Sequence, residues 1–242
     1  SAREIAQFGD EEKAFLTGKR IGEAMREMGL NYDLAPVVDV ESVCGNPAIG
    51  SRSFGTDAAA VARFGTEMAR GIQAAGVMAC AKHFPGHGGT NVDTHKSLPT
   101  ITLSMDELEA GPLVPFYAAI EAGVKSIMTT HIMFPALDKE YPGTLSNAVL
   151  GGLLRGKMRY GGIIITDCLE MDAIASRYGA AEAALMAAKA GADMPLISHN
   201  YNEAARAAEL IGRAIEREEM NMPEHNAALG RIAGAKEWLN MQ

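Results

Sequence analysis

One unit recurs along this chain: an amphipathic stretch, a glycine, a short apolar run and then a polar loop. It is visible in "EMGLNYDLAP", "AAGVMACAKH", "EAGVKSIMTT" and "KAGADMPLIS". Glycine commonly stops a helix, and continuous apolar runs between amphipathic helices are the pattern of strands buried on both faces. The repeat therefore constrains the chain to parallel α/β architecture. Five runs qualify as strands: "NYDLAPVVDV", "VMACAKHF", "VKSIMTTHIMF", "GGIIITDCL" and "ADMPLISHN". Between them, stretches such as "EEKAFLTGKRIGEAMREMG", "DAAAVARFGTEMARGIQAAG", "SMDELEAGPLVPFYAAIEAG" and "DAIASRYGAAEAALMAAKAG" read as helices.

The expected fold is a TIM-type (β/α)8 barrel, with residues 1–242 as a single domain supplying about its last five β/α units. An open doubly wound sheet is the second choice. No G-x-G-x-x-G or P-loop follows any strand, which weighs against nucleotide-binding versions. A closed barrel needs eight strands, and an open piece of five would expose two parallel edges. The expectation is that the chain is not self-sufficient. A missing N-terminal barrel segment would come from the same polypeptide, a nicked chain or a swapped copy.

Composition narrows the partners. The net charge is −8 and the pI about 5.3, with acids and bases interspersed. This argues against nucleic acid and anionic membrane surfaces and favours a small polar ligand. No apolar run reaches the length of a membrane span, and no signal peptide is visible, so a cytoplasmic location is the expectation over secretion. Three cysteines, Cys44, Cys80 and Cys168, are too few and too widely spaced for a disulfide framework or a CxxC metal site.

In parallel β/α folds, active sites are built at the carboxyl ends of the strands. Here those ends carry Asp39; Lys82, His83, His87, Asp93 and His95; His131; Asp167, Glu170 and Asp172; and His199. Any one alone has an ordinary structural explanation: Asp39 as a helix cap, His131 as a satisfied core histidine. Polar groups at every strand end are harder to explain that way. The loop "AKHFPGHGGTNVDTHKSLP" admits two chemistries. Histidine and carboxylate are good zinc ligands, but His83 and His87 are split by Phe-Pro-Gly, lack the helical spacing of H-E-x-x-H and sit beside Lys82. No metal and no cofactor are expected. Proton transfer fits better. Asp93 and His95 are two residues apart, so in an extended loop they project to one side, and a carboxylate on one imidazole nitrogen makes the other a better base. Asp167 ends the most apolar strand, where an aspartate is either a ligand binder or a catalytic carboxylate.

The segments "KHFPGHGGTNVDTHKSLP", "NPAIGSRSFG" and "GGIIITDCLEMDAI" together resemble glycoside hydrolase family 3, most of all its β-N-acetylglucosaminidase (NagZ-like) branch. The resemblance runs over nearly the whole chain in the right order. It implies a retaining β-N-acetylhexosaminidase that removes terminal β-linked N-acetylglucosamine from peptidoglycan-derived muropeptides in cell-wall recycling. Asp167 maps to the nucleophile that forms a covalent glycosyl-enzyme, and His95 with its orienting partner Asp93 maps to the acid/base dyad. Arg52, Lys82 and His83 map to sugar-binding groups, and His131 is expected to join them at the substrate. Glu170 and Asp172 are expected at the start of the following helix, where acids suit the dipole.

The chain departs from the family in three respects. Nothing in it matches the family's N-terminal "DQEGGR"-like strand end. "GHGG" stands for the more usual "GHGD", and the sequence stops near the expected end of the barrel. Two alternatives stay open. One is a β-N-acetylglucosaminide phosphorylase using the same site, since a histidine acid/base would admit phosphate more easily than a carboxylate. The other is an inactive barrel fragment that needs the missing N-terminal part.

Overall fold

The computed structural model describes residues 1–43, 46–90 and 98–241. Its elements are α1 (Ala2–Gln7), α2 (Glu11–Glu27), α3 (Ala58–Ala74), β1 (Cys80–Phe84), α4 (Met105–Ala110), α5 (Val114–Glu121), β2 (Ser126–Thr129), β3 (Ile163–Ile165), α6 (Asp172–Tyr178), α7 (Ala180–Ala190), α8 (Tyr201–Glu216) and α9 (Met222–Asn240). Ala148–Lys157, between β2 and β3, winds with wide π-type turns.

The three strands form one parallel sheet in the order β1-β2-β3. Two further extended segments flank it. Tyr32 and Val37 make parallel bridges to Met78 and Lys82, and Met194 makes one to Ile165. All five runs expected from the sequence thus lie side by side and parallel, although only the middle three are regular. The outer two each carry a proline, Pro36 or Pro195, which has no N–H for a ladder. Pairing there survives through bonds such as Cys80 N–H to Ala35 O at 2.8 Å and Thr166 N–H to Met194 O at 3.1 Å. Among the described residues neither flanking segment pairs with a further strand.

Side chains alternate across the sheet, as strand geometry requires. Ala81, Ile127 and Ile164 point into the main core with the helices. Cys80, Met128 and Ile165 face the other way and gather Tyr32, Leu34, Met194 and Leu196 into a second, smaller apolar cluster. Helix α2 lies close on α3 because Gly18 and Gly71 leave room: a Cβ on Gly18 would fall 2.2 Å from Met68 O, and one on Gly71 would fall 2.0 Å from Phe15 O.

Two expected helices are each broken in two. "SMDELEAGPLVPFYAAIEAG" splits at Gly111 and Pro112 into α4 and α5, the first closed by a Ser104–Glu107 capping box. "DAIASRYGAAEAALMAAKAG" splits at Gly179, whose φ of +76° ends α6 before α7 begins. No described helix is long and apolar enough to cross a membrane.

Candidate functional site

Asp39, at the end of the first extended segment, is fully buried and works as a hub. One oxygen, Oδ2, accepts from His83 Nδ1 at 2.7 Å, and both oxygens share the His83 backbone N–H at 3.2 Å. Oδ1 also accepts the His87 backbone N–H at 2.6 Å. Burial pushes the carboxyl upward, but the charges of His83 and His87 and these donors hold it below the usual carboxylate range. An ionised acid next to Nδ1 places the proton there, which leaves Nε2 of His83 for a ligand.

The loop after β1 is seated on this hub. Asn46 donates to the His87 carbonyl at 2.9 Å and faces His87 Nδ1 at 3.4 Å, while its own Oδ1 accepts from Ala48 and Ile49. Burial lowers the His87 pKa, against the opposing charge of Asp39. Gly88 is required by contact: a Cβ there would lie 1.8 Å from Val40 O. A second brace comes from α1, where Arg3 pairs with buried Glu41 and donates to Gly50 O at 3.1 Å. This steadies the short turn Gly50–Arg52 that carries Arg52.

These elements enclose a recess of about 130 Å³, walled by Arg52, Lys82, His83, His87 and Asp167, with Ile49 and Met171 on its apolar side. Asp167 follows β3 and Thr166, whose hydroxyl accepts the Leu196 N–H at 2.8 Å and ties the strand end to the last segment. Burial alone would raise the Asp167 carboxyl. The charges of His83 and His131, the Cys168 N–H at 2.8 Å and Lys82 outweigh it and hold Asp167 below the usual range. The recess therefore holds a half-buried carboxylate facing a lysine, an arginine and an imidazole. That set can attack an electrophilic carbon and hold hydroxyl oxygens.

His131 is not among the described residues that line the recess. It is buried, with Nε2 donating to Cys168 O at 2.9 Å and Nδ1 against Thr144 Oγ1 at 2.8 Å. Expected among the substrate-binding groups, it bonds the backbone next to Asp167. Arg52 lines the recess and also donates to Ala48 O. Asp172 stands in the first turn of α6 as the dipole reading expects. Glu170 does not join it: its carboxylate accepts the backbone N–H groups of Ser198, His199 and Asn200 at 2.7, 2.7 and 2.8 Å, which pull its pKa down to about 2 against the effect of burial. The dyad residues Asp93 and His95 lie outside the described residues. Sequence reading missed Asn46, Arg3 and Glu41. Asp39 was visible as a strand-end acid, but its partners, more than forty residues away, were not.

The model of the glycosyl hydrolase family 3 N-terminal domain matches residues 1–235. The chain belongs to glycosyl hydrolase family 3. It is 33% identical over 234 residues to beta-hexosaminidase A of Pseudoalteromonas piscicida, a match covering 89% of this chain and 39% of that one. It superposes on a family 3 β-N-acetylglucosaminidase from Paenibacillus sp. str. FPU-7 with a TM-score of 0.97 at 41% identity, over 99% of this chain and 46% of that one. The beta-glucoside phosphorylase BglX shares the fold at a TM-score of 0.92 and 27% identity, over 100% of this chain and 44% of that one. This family 3 chain thus spans less than half the length of each of these relatives.

Proposed function

We propose that this chain carries the catalytic site of a retaining β-N-acetylhexosaminidase acting on terminal β-linked N-acetylglucosamine, with peptidoglycan-derived muropeptides as the substrate class. The observation that carries the reading is Asp167, a half-buried carboxylate held below the usual carboxylate range just after β3 and facing Lys82, His83 and Arg52 across one small recess. In a retaining mechanism Asp167 attacks the anomeric carbon and forms a covalent glycosyl-enzyme. A second group first protonates the leaving oxygen and then activates water. His95, oriented by Asp93, takes that second role, while Lys82, Arg52 and Nε2 of His83 grip the sugar hydroxyls. His131 acts one step back by holding the Cys168 carbonyl beside the nucleophile.

The architecture belongs to the same reading: the five parallel segments are the last five units of a (β/α)8 barrel within one domain. Two observations support this, the unpaired outer edges of the flanking segments among the described residues and the half-exposed Tyr32, Leu34, Met194 and Leu196 on the inner face. The partner that covers them is a further barrel segment of the same polypeptide, a nicked chain or a swapped copy.

The test is Asp167→Ala in the complete enzyme. Turnover of an aryl β-N-acetylglucosaminide should fall by several powers of ten, and a slow substrate should label the Asp167 peptide covalently in the wild type. Near-normal kcat in the variant would refute the assignment. Phosphorolysis is the second reading, favoured by the similarity to BglX. Product analysis with and without phosphate separates the two, since a sugar phosphate forms only if phosphate replaces water.

A further inference from the structure

Beside the recess, three donor side chains of different chemistry converge: the Cys168 thiol, the Glu170 carboxylate and the His199 imidazole. Their ligand atoms all lie within 4.8 Å of one another. Glu170 Oε2 is 3.5 Å from Cys168 Sγ and 3.3 Å from His199 Nδ1. These two separations match two edges of a coordination tetrahedron. With Zn–S near 2.3 Å and Zn–N and Zn–O near 2.0 Å, the sulfur–oxygen edge is about 3.5 Å and the nitrogen–oxygen edge about 3.3 Å. We propose that Cys168, Glu170 and His199 form a binding site for a zinc-class divalent cation, with a water in the fourth position.

The chemistry of the set fits that class. Thiolate and imidazole favour zinc and its cobalt surrogate over magnesium or calcium, and one carboxylate completes a three-ligand open site. Glu170 is fixed in place by backbone N–H groups, Asn200's on Oε1 and those of Ser198 and His199 on Oε2. Access is open: His199 is exposed, and Cys168 and Glu170 are half-buried at the rim. Binding releases the thiol proton to solvent, so a dication meets a thiolate, a carboxylate and a neutral imidazole. The cation would tie the loop that carries Asp167 to the loop that begins α8. The sequence leads to an expectation of no metal, argued from the histidine loop after β1, and this site departs from it at a different loop. It stands independently of the glycosidase reading.

The test titrates the full-length protein with Co²⁺ and reads its absorption, followed by displacement with Zn²⁺. One equivalent of Co²⁺ should give a thiolate-to-cobalt charge-transfer band with tetrahedral visible bands, and Zn²⁺ should abolish both. Cys168→Ser should lose the charge-transfer band, whereas Cys80→Ser and Cys44→Ser should keep it. His199→Ala, which alters an exposed side chain and leaves the fold intact, should weaken binding about tenfold or more. Absence of the band in the wild type, its survival in Cys168→Ser, or unchanged affinity in His199→Ala would each overturn the site.

Discussion

The sharpest test of the site's construction is Asp39, which touches no substrate in the proposed reaction yet holds two histidines. Its carboxylate receives three donors: the His83 ring N–H and the backbone N–H groups of His83 and His87. Asp39→Ala strands all three in a buried place. Removing one partner of a buried, hydrogen-bonded charge pair costs about 3–5 kcal/mol, a large share of the roughly 5–15 kcal/mol that holds a typical domain together. Asp39→Asn keeps the shape and an acceptor for the backbone groups, but turns an NH₂ toward His83 Nδ1. It should lose about 1.5–3 kcal/mol, the worth of one hydrogen bond to a charged group. His83 must then shift its proton to Nε2, and kcat/KM should fall about 10- to 100-fold, the usual effect of losing an orienting partner. The pH dependence follows from two depressed values. Burial lowers the His87 pKa, so its contribution is complete above its unfolded pKa near 6.5 and declines as pH falls below it. Asp39 contributes above its unfolded value near 3.8 and that contribution is lost as pH falls through its lower folded value. Guanidinium midpoints at constant m, measured on the full-length protein from pH 7.5 down to about 3, read both. Asp39→Ala within about 0.5 kcal/mol of wild type, the range of an ordinary surface change, would refute the hub.

The remaining expectations concern the loops and the chemistry. His95→Ala should slow substrates with poor leaving groups far more than activated aryl glycosides, and Asp93→Asn should do so more mildly; equal losses on both, measured as kcat/KM, would rule out proton transfer by His95. Gly88→Ala places a methyl 1.8 Å from Val40 O and should cost about 1–3 kcal/mol or more as the loop is pushed off its seat, an effect absent if the melting temperature is unchanged. Catalysis should persist after prolonged chelation, because Asp39 and Asn46 rather than a cation hold His83 and His87; activity lost to chelation and restored by zinc would contradict this.

Much of the fold was legible because parallel strands buried on both faces must be continuously apolar, and such runs are hard to mistake. Their regularity was not legible in the same way. Whether "NYDLAPVVDV" forms a ladder or a string of isolated bridges depends on where Pro36 falls against the hydrogen bonds of β1, which is a matter of register. The helix breaks were written in the sequence as Gly111-Pro112 and Gly179, but lay inside otherwise helical periodicity. At the site, Asp167, Lys82, His83 and Arg52 could be nominated because each ends a strand or sits in a distinctive motif. The role of His131 could not. A buried histidine reads the same whether its nitrogens meet a ligand or a threonine and a carbonyl, and only the packing of Thr144 and Cys168 decides.

The partners that sequence could not supply follow one rule in the structure. A side chain at the end of one parallel segment bonds the backbone at or beyond the end of the next. Asp39, on the first segment, takes the amides of His83, near the end of β1, and of His87 beyond it. His131, after β2, donates to the carbonyl of Cys168 after β3. Glu170, after β3, takes three amides of the loop after the last segment. Polar groups at a sheet's carboxyl end would otherwise be half-buried without partners, which is costly. Passing each one to the neighbouring loop satisfies it and ties the loops into a rim. Among the described residues, Lys82, Arg52, His83, His87 and Asp167 line the recess, so the order that satisfies the backbone also concentrates reactive side chains in one place.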